Sequence, residues 1–204
     1  MHLGQTAAYL AEVMNRPEPT IQIVARRLRE FEWVRKGARG RNAPHLNSTE
    51  LARFLIALMA SPDSPALAME RLPHFAALPL DDDRERSGTF ATALAMLLDR
   101  IAEETWEDVR AKNWGVTLTV DVSAASIWAD PDEGSEVAPE EHHFTAMLTA
   151  DPSAPLRDAF PYHSGLEELR TIRCHTLFRI AKVALADEPD PLDAIAASLL
   201  EGSA

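Results

Sequence analysis

The chain has 204 residues, 46% hydrophobic and 25% charged, with one cysteine and a net charge of −12. This length and composition admit one large or two small globular domains and exclude wholesale disorder. The lone Cys174 excludes an intrachain disulfide and fits a reducing compartment.

The start, MHLGQTAAYL, has neither the basic segment nor the long apolar run of a secretory leader. Leu55 to Ala60 is the most apolar run and is too short to span a bilayer. A cytoplasmic protein without membrane contact is expected. The abundance of Ala, Arg, Asp and Pro suggests a bacterial source of high GC content.

In chain order, Thr6 to Met14 reads as a short helix with Thr6 as its cap and Ala7, Leu10, Ala11 and Met14 on one stripe. Pro17 and Pro19 break it. Thr20 is placed to cap a second helix, Ile21 to Phe31, with Ile21, Val24, Ala25, Leu28 and Phe31 inward. Gln22, Arg26 and Arg29 recur at i, i+4 and i+7 on the other side. Trp33 to Lys36 reads as a strand, Gly37 to Arg41 as a glycine-arginine turn, and Ala43 to Leu46 as the return strand. Asn47 with Glu50 forms a capping box for a helix from Ser48 to about Ala60.

Beyond the head, Ala66 to Leu78 reads as a weaker helix interrupted by Pro73, and Pro79 to Gly88 as an exposed linker. Thr89 to about Lys112 reads as one long helix. The period then switches to two: Val116, Leu118, Val120 and Val122 alternate with polar residues, which predicts a strand that Ile127-Trp128 extends. An acidic loop spans Asp130 to Glu141. His143 to Thr149 and Leu169 to Cys174 are the other strand candidates, with loop between them. Thr176 is placed to cap a helix, and Pro191 to Leu200 reads as a terminal one.

The charge is uneven along this order. Residues 1–46 carry eight Arg/Lys against four Asp/Glu, net +4, and the rest carries twelve against twenty-eight, net −16. A basic head on an acidic body points to local phosphate binding.

The head segment TAAYLAEVMNRPEPTIQIVARRLREFEWVRKGARGRNAPHL resembles the winged helix-turn-helix of bacterial transcription regulators. It departs from that pattern in having few residues before the first helix and a proline-rich turn. The resemblance implies that the second helix enters a major groove while the hairpin wing touches flanking backbone. The expected DNA-contacting set is Thr20, Gln22, Arg26, Arg27, Arg29, Arg35, Lys36, Arg39 and Arg41. Arg pairs bidentately with guanine and Gln with adenine, and the arginines of the turn would neutralise phosphates.

The expected fold is therefore α+β: an N-terminal winged helix-turn-helix, then a helical segment, then a small, mainly antiparallel sheet with helices. The expected division is residues 1–62, a linker 63–88, and an oligomerisation or partner-binding unit 89–204. The partners implied are double-stranded DNA and a second copy, as a homodimer. The sequence Arg39-Gly40-Arg41-Asn42-Ala43-Pro44 also resembles small prophage proteins, so a DNA-packaging or recombination accessory is an alternative. An interaction adaptor without DNA binding is another.

No metal or cofactor is expected: His142, His143, His163, His175 and Cys174 show no ligand spacing, and adjacent histidines on a strand face opposite ways. No hydrolase elbow, phosphate loop or dinucleotide fingerprint occurs, and no enzyme is expected.

Overall fold

A computed structural model describes residues 1–36, 44–61, 63–80, 88–120, 123–131, 139–145, 169–186 and 188–191. Among the described residues the protein is α+β, with seven helices and one antiparallel sheet of four strands.

The first helix, α1, runs Leu3–Val13 and is capped by His2 rather than by Thr6. Thr6 lies inside the helix, fully buried, and its hydroxyl donates to the His2 carbonyl at 3.2 Å. The helix closes on Asn15 at φ 50°, with the Arg16 N–H on the Ala11 carbonyl and the Asn15 N–H on the Glu12 carbonyl. This is the double closure of a left-handed helix end, and asparagine tolerates it better than most residues.

The second helix, α2, runs Glu18–Glu30 and starts at Pro17, with Pro19 in its first turn, so Thr20 lies within it rather than at its cap. Prolines suit a first turn because the N–H they lack has no helical partner there. Ile21, Val24, Ala25 and Leu28 are its buried stripe, whereas Phe31, expected inward, stands at the C-cap where the helix ends and is 60% exposed. It ends as α1 does, with Glu32 at φ 63° and the Trp33 N–H on the Leu28 carbonyl.

The expected wing strands do not form among the described residues. Trp33 and Val34 form a bend and Arg35 and Lys36 run on without regular structure, Val34 packs into the core at 3% exposure, and His45 makes only an isolated bridge with His2. The reason is a tertiary contact. The Arg35 N–H donates to the Glu50 carboxylate at 2.8 Å, so a side chain takes the donor that a hairpin ladder needs.

Helix α3, Ser48–Ala60, has the predicted Asn47–Glu50 capping box. Ten of its thirteen residues are buried, so it is the central rod of the molecule, and α2, α4 and α5 pack on it. Helix α4 is Pro65–Ala76. Pro73 falls in its last turn and does not interrupt it, and Ala68, Met69, Leu72 and Phe75 face the core.

The long helix predicted over 89–112 is two. Helix α5 is Phe90–Glu103; Thr105 and Asp108 then form a second capping box that starts α6, Trp106–Lys112. Asn113, left-handed at φ 49°, ends α6 and leads into the sheet.

Strand β1 is Trp114–Thr119 and β2 is Ala124–Ala129. They pair antiparallel, with Val116 opposite Ile127. Ile127-Trp128 thus belongs to a separate strand, because the chain reverses through Ser123 at φ 51°. Strand β3 is Glu140–Thr145, earlier than predicted, and β4 is Leu169–Arg173. The order is β3-β2-β1-β4.

The inward face carries Val116, Leu118, Ile127, Phe144 and Ile172; the outward face carries Thr117, Ser126, Trp128 and Thr171. Gly115 makes that outward face possible, because a Cβ there would lie 2.1 Å from the Trp128 ring.

Helix α7, Cys174–Ala184, follows β4 directly, with Arg173 and not Thr176 at its cap position. It packs on α1, α5 and α6. The buried residues form one cluster that runs from Ala7 to Ala184 and passes through all three expected segments. The predicted terminal helix lies almost wholly outside the described residues.

Candidate nucleic-acid interface

Helices α1 and α2 are joined by Met14 to Pro17. A four-residue link between two packed helices is the length of a helix-turn-helix. The turn is held by the Asn15 and Arg16 hydrogen bonds back to α1. The inward stripe of α2 rests on α1, α3 and α4, which leaves the opposite side to solvent.

The structure brings the α2 candidates onto one helix but does not treat them alike. Arg26 is exposed, 3.5 Å from Glu30 in an i, i+4 pair. Arg29 is exposed as well. Gln22 is half-buried and its amide donates to the Gly4 carbonyl at 3.2 Å and to Glu18 at 3.3 Å, so it also ties α2 to α1. Arg27 is half-buried, and its Nε is buried without a hydrogen-bond partner among the described residues. Thr20 is half-buried in the first turns of α2. Glu18 and Glu30 stand among these groups, so this surface is mixed in sign.

Arg35 and Lys36 follow α2. The Arg35 guanidinium clamps Glu50, Nε to Oε1 at 2.8 Å and Nη2 to Oε2 at 3.0 Å, and also donates to the His45 carbonyl. Burial alone would push the Glu50 carboxyl up. Hydrogen bonds from the Arg35 side chain and backbone, then from Asn47, outweigh it and hold the group below its ordinary range. The same contact raises the Arg35 guanidinium. Lys36 pairs with Glu32 at 2.6 Å and lowers that exposed carboxyl. Arg39 and Arg41 lie outside the described residues.

One cation was missed from the sequence. Arg53 of α3 sits 5.3 Å from the Trp33 ring centre and donates to the Trp33 carbonyl. The signal was only its place on α3, one turn after the Asn47–Glu50 box.

Elsewhere, Tyr9 of α1 donates to Asp190 at 2.7 Å, and Arg179 of α7 grips the same carboxylate at 2.6 Å. Burial first, then the Asp190 hydrogen bond, push the Tyr9 phenol well above its ordinary value. Cys174 is half-buried, and burial raises its thiol, the opposite of an activated nucleophile. His142 and His143 are neighbours on β3, where successive side chains alternate faces. Among the described residues no group of three or more His, Cys, Asp or Glu is placed to hold a metal ion, and no helix is long and apolar enough to cross a membrane.

Comparison with known proteins finds no matching family model, no matching curated protein and no matching solved structure.

Proposed function

We propose that this protein binds double-stranded DNA through α1, its four-residue turn and α2, and acts as a sequence-specific bacterial transcription regulator, as a homodimer in the cytoplasm. The carrying observation is the pairing of a four-residue link between two packed helices with a second helix that buries Ile21, Val24, Ala25 and Leu28 and leaves Arg26 and Arg29 in solvent. The net charge of +4 over residues 1–46 against −16 for the remainder supports the same reading and sets the orientation, since the acidic body is repelled by phosphate.

In this reading α2 lies in the major groove and Arg26 and Arg29 reach base edges or phosphates. Arg39 and Arg41 touch flanking backbone, as the wing of the resembled regulators does. Arg35 has a structural duty in the Glu50 clamp and contributes charge rather than base contacts.

The exposed apolar side chains Ile23 and Phe31 favour a second reading, an adaptor whose α2 docks on another protein. DNA binding measured by fluorescence anisotropy decides between them. A random duplex should bind with a log–log salt slope of about −4 to −5, as expected for some four to six neutralised phosphates. No affinity at low salt, or an affinity indifferent to salt, leaves the adaptor.

A further inference from the structure

We propose that the outward face of the sheet, centred on Trp128, binds a neutral saccharide, with one pyranose ring stacked by its C–H face on the indole. The strand registers build this face. Trp128 of β2 stands between Glu141 of β3 and Gly115 of β1, and Gly115 in turn stands beside Arg173 of β4. In the adjacent row Ser126 stands beside Thr117. With Asp130, just beyond β2, these side chains line an open hollow of about 610 Å³. That volume suits a small ligand.

The indole is held as a platform. It lies across Gly115, where no Cβ could fit beneath it. Glycine inside a strand weakens it and marks a close approach. The Trp128 Nε1–H donates to the Thr117 hydroxyl at 3.1 Å, so the ring is fixed at its polar edge as well. Packing of the core does not account for this ring, because Val116, Leu118, Ile127, Phe144 and Ile172 are buried on the other face. Trp128 is half-buried, and Asp130, Glu141 and Arg173 around it are exposed.

The chemistry of the rim selects the occupant. Two carboxylates, Asp130 and Glu141, stand against one guanidinium, Arg173, a balance that disfavours a polyanion. Carboxylates accept from hydroxyls, a guanidinium donates to them, and the Ser126 hydroxyl does both, so a polyol finds both kinds of partner. The electron-rich face of an indole attracts the polarised C–H bonds of a sugar ring. Arg173 lies 5.9 Å from the ring centre, beyond the roughly 3.5–4.0 Å of a stacked contact, so it borders the indole rather than covering it. An apolar ligand would desolvate the charged rim without satisfying it, and a compact ion would leave the indole bare. Asn113 donates to the Asp130 carbonyl at 2.9 Å and anchors the end of β2 that carries this carboxylate.

The face belongs to the sheet and not to α2, so it stands or falls independently of DNA binding. The probes are methyl β-D-glucopyranoside, methyl β-D-galactopyranoside and methyl α-D-mannopyranoside, titrated into the isotope-labelled full chain. The indole N–H resonances of its 4 tryptophans are followed by NMR. The Trp128 resonance, identified by its loss in Trp128→Phe, should move saturably with at least one glycoside while those of Trp33, Trp106 and Trp114 stay in place. Asp130→Asn and Glu141→Gln, both at exposed positions, should each weaken that binding by about threefold to tenfold with the melting temperature unchanged. Trp128→Ala, read from the backbone amides of the sheet, should weaken it by at least about tenfold, and Trp128→Phe by less, because it keeps a ring. No saturable movement with any of the three glycosides, movement confined to the other indoles, or indifference to both carboxylate substitutions overturns the proposal. Tighter binding of oligothymidylate at the Trp128 resonance also overturns it, because it would assign the platform to single-stranded nucleic acid.

Discussion

Arg35 and Glu50 are joined by three hydrogen bonds, two from the guanidinium and one from the Arg35 backbone, while Glu50 also completes the cap of α3 through the Asn47 N–H. One buried carboxylate therefore fixes both the exit of α2 and the entry of α3. Its lowered pKa means that its contribution to stability is complete above the ordinary value of 4.5 and is lost as pH falls through the lower folded value. Glu50→Gln should cost about 1–3 kcal/mol at neutral pH and flatten the loss of stability as pH falls below the ordinary value of 4.5. Denaturant melts of both proteins across that range check it; equal acid sensitivity would show that other carboxylates set the profile.

Gly115 and Trp128 form a second coupled pair. Gly115→Ala should destabilise the protein by about 1–3 kcal/mol, the usual cost of overpacking. The ring that blocks the new methyl also donates from Nε1 to the Thr117 hydroxyl at 3.1 Å, which holds it over the glycine. In a Trp128→Ala background the same change should cost clearly less. Additive losses in the double-mutant cycle would mean that the clash is with something else.

Glu32 is a left-handed residue with a Cβ at a helix end where glycine is preferred. Glu32→Gly should stabilise the fold by about 0.5–1 kcal/mol, the relieved strain exceeding the exposed Lys36 pair it removes. A lower thermal midpoint for the variant would refute this.

Tyr9, Asp190 and Arg179 join α1 to the chain beyond α7. Asp190→Ala should cost about 2–4 kcal/mol, because it strands a guanidinium and a phenol that are both half-buried, whereas Tyr9→Phe should cost about 1 kcal/mol. Equilibrium unfolding gives both values, and a larger loss for Tyr9→Phe would invert the assignment of Asp190 as the hub.

Within the DNA reading, Arg26→Ala should weaken a selected cognate duplex by about 1–3 kcal/mol and relax the preference at one base pair. Its Glu30 partner is exposed and weakly held, so folding should be untouched. Competition of cognate against random duplex is the measurement. Equal losses on both would remove α2 from base reading.

Helix existence was legible wherever apolar spacing and a capping pair coincided, as at Asn47 and Glu50. Thr105 and Asp108 obey the same rule, yet the apolar spacing runs on from Phe90 to Val109 and hides the break. Trp33-Val34 looks like a strand because aromatic and β-branched residues favour one. Nothing local shows that Val34 is needed in the core or that Glu50, fifteen residues on, will claim the Arg35 N–H. The reversal at Ser123 was illegible because a serine at positive φ carries no glycine signature. Arg26 and Arg29 could be read as outward from helical periodicity.

The contact between α1 and the segment after α7 spans 181 positions of chain, from Tyr9 to Asp190. At a synthesis rate of about 5–20 residues per second, roughly ten to forty seconds separate the emergence of the two partners. During that interval the nascent protein has its first helix and its central rod but not the surface that closes over them. Helix α1 therefore waits for the segment after α7 before its Tyr9 contact can close, and until then that side of the helix is open to other partners.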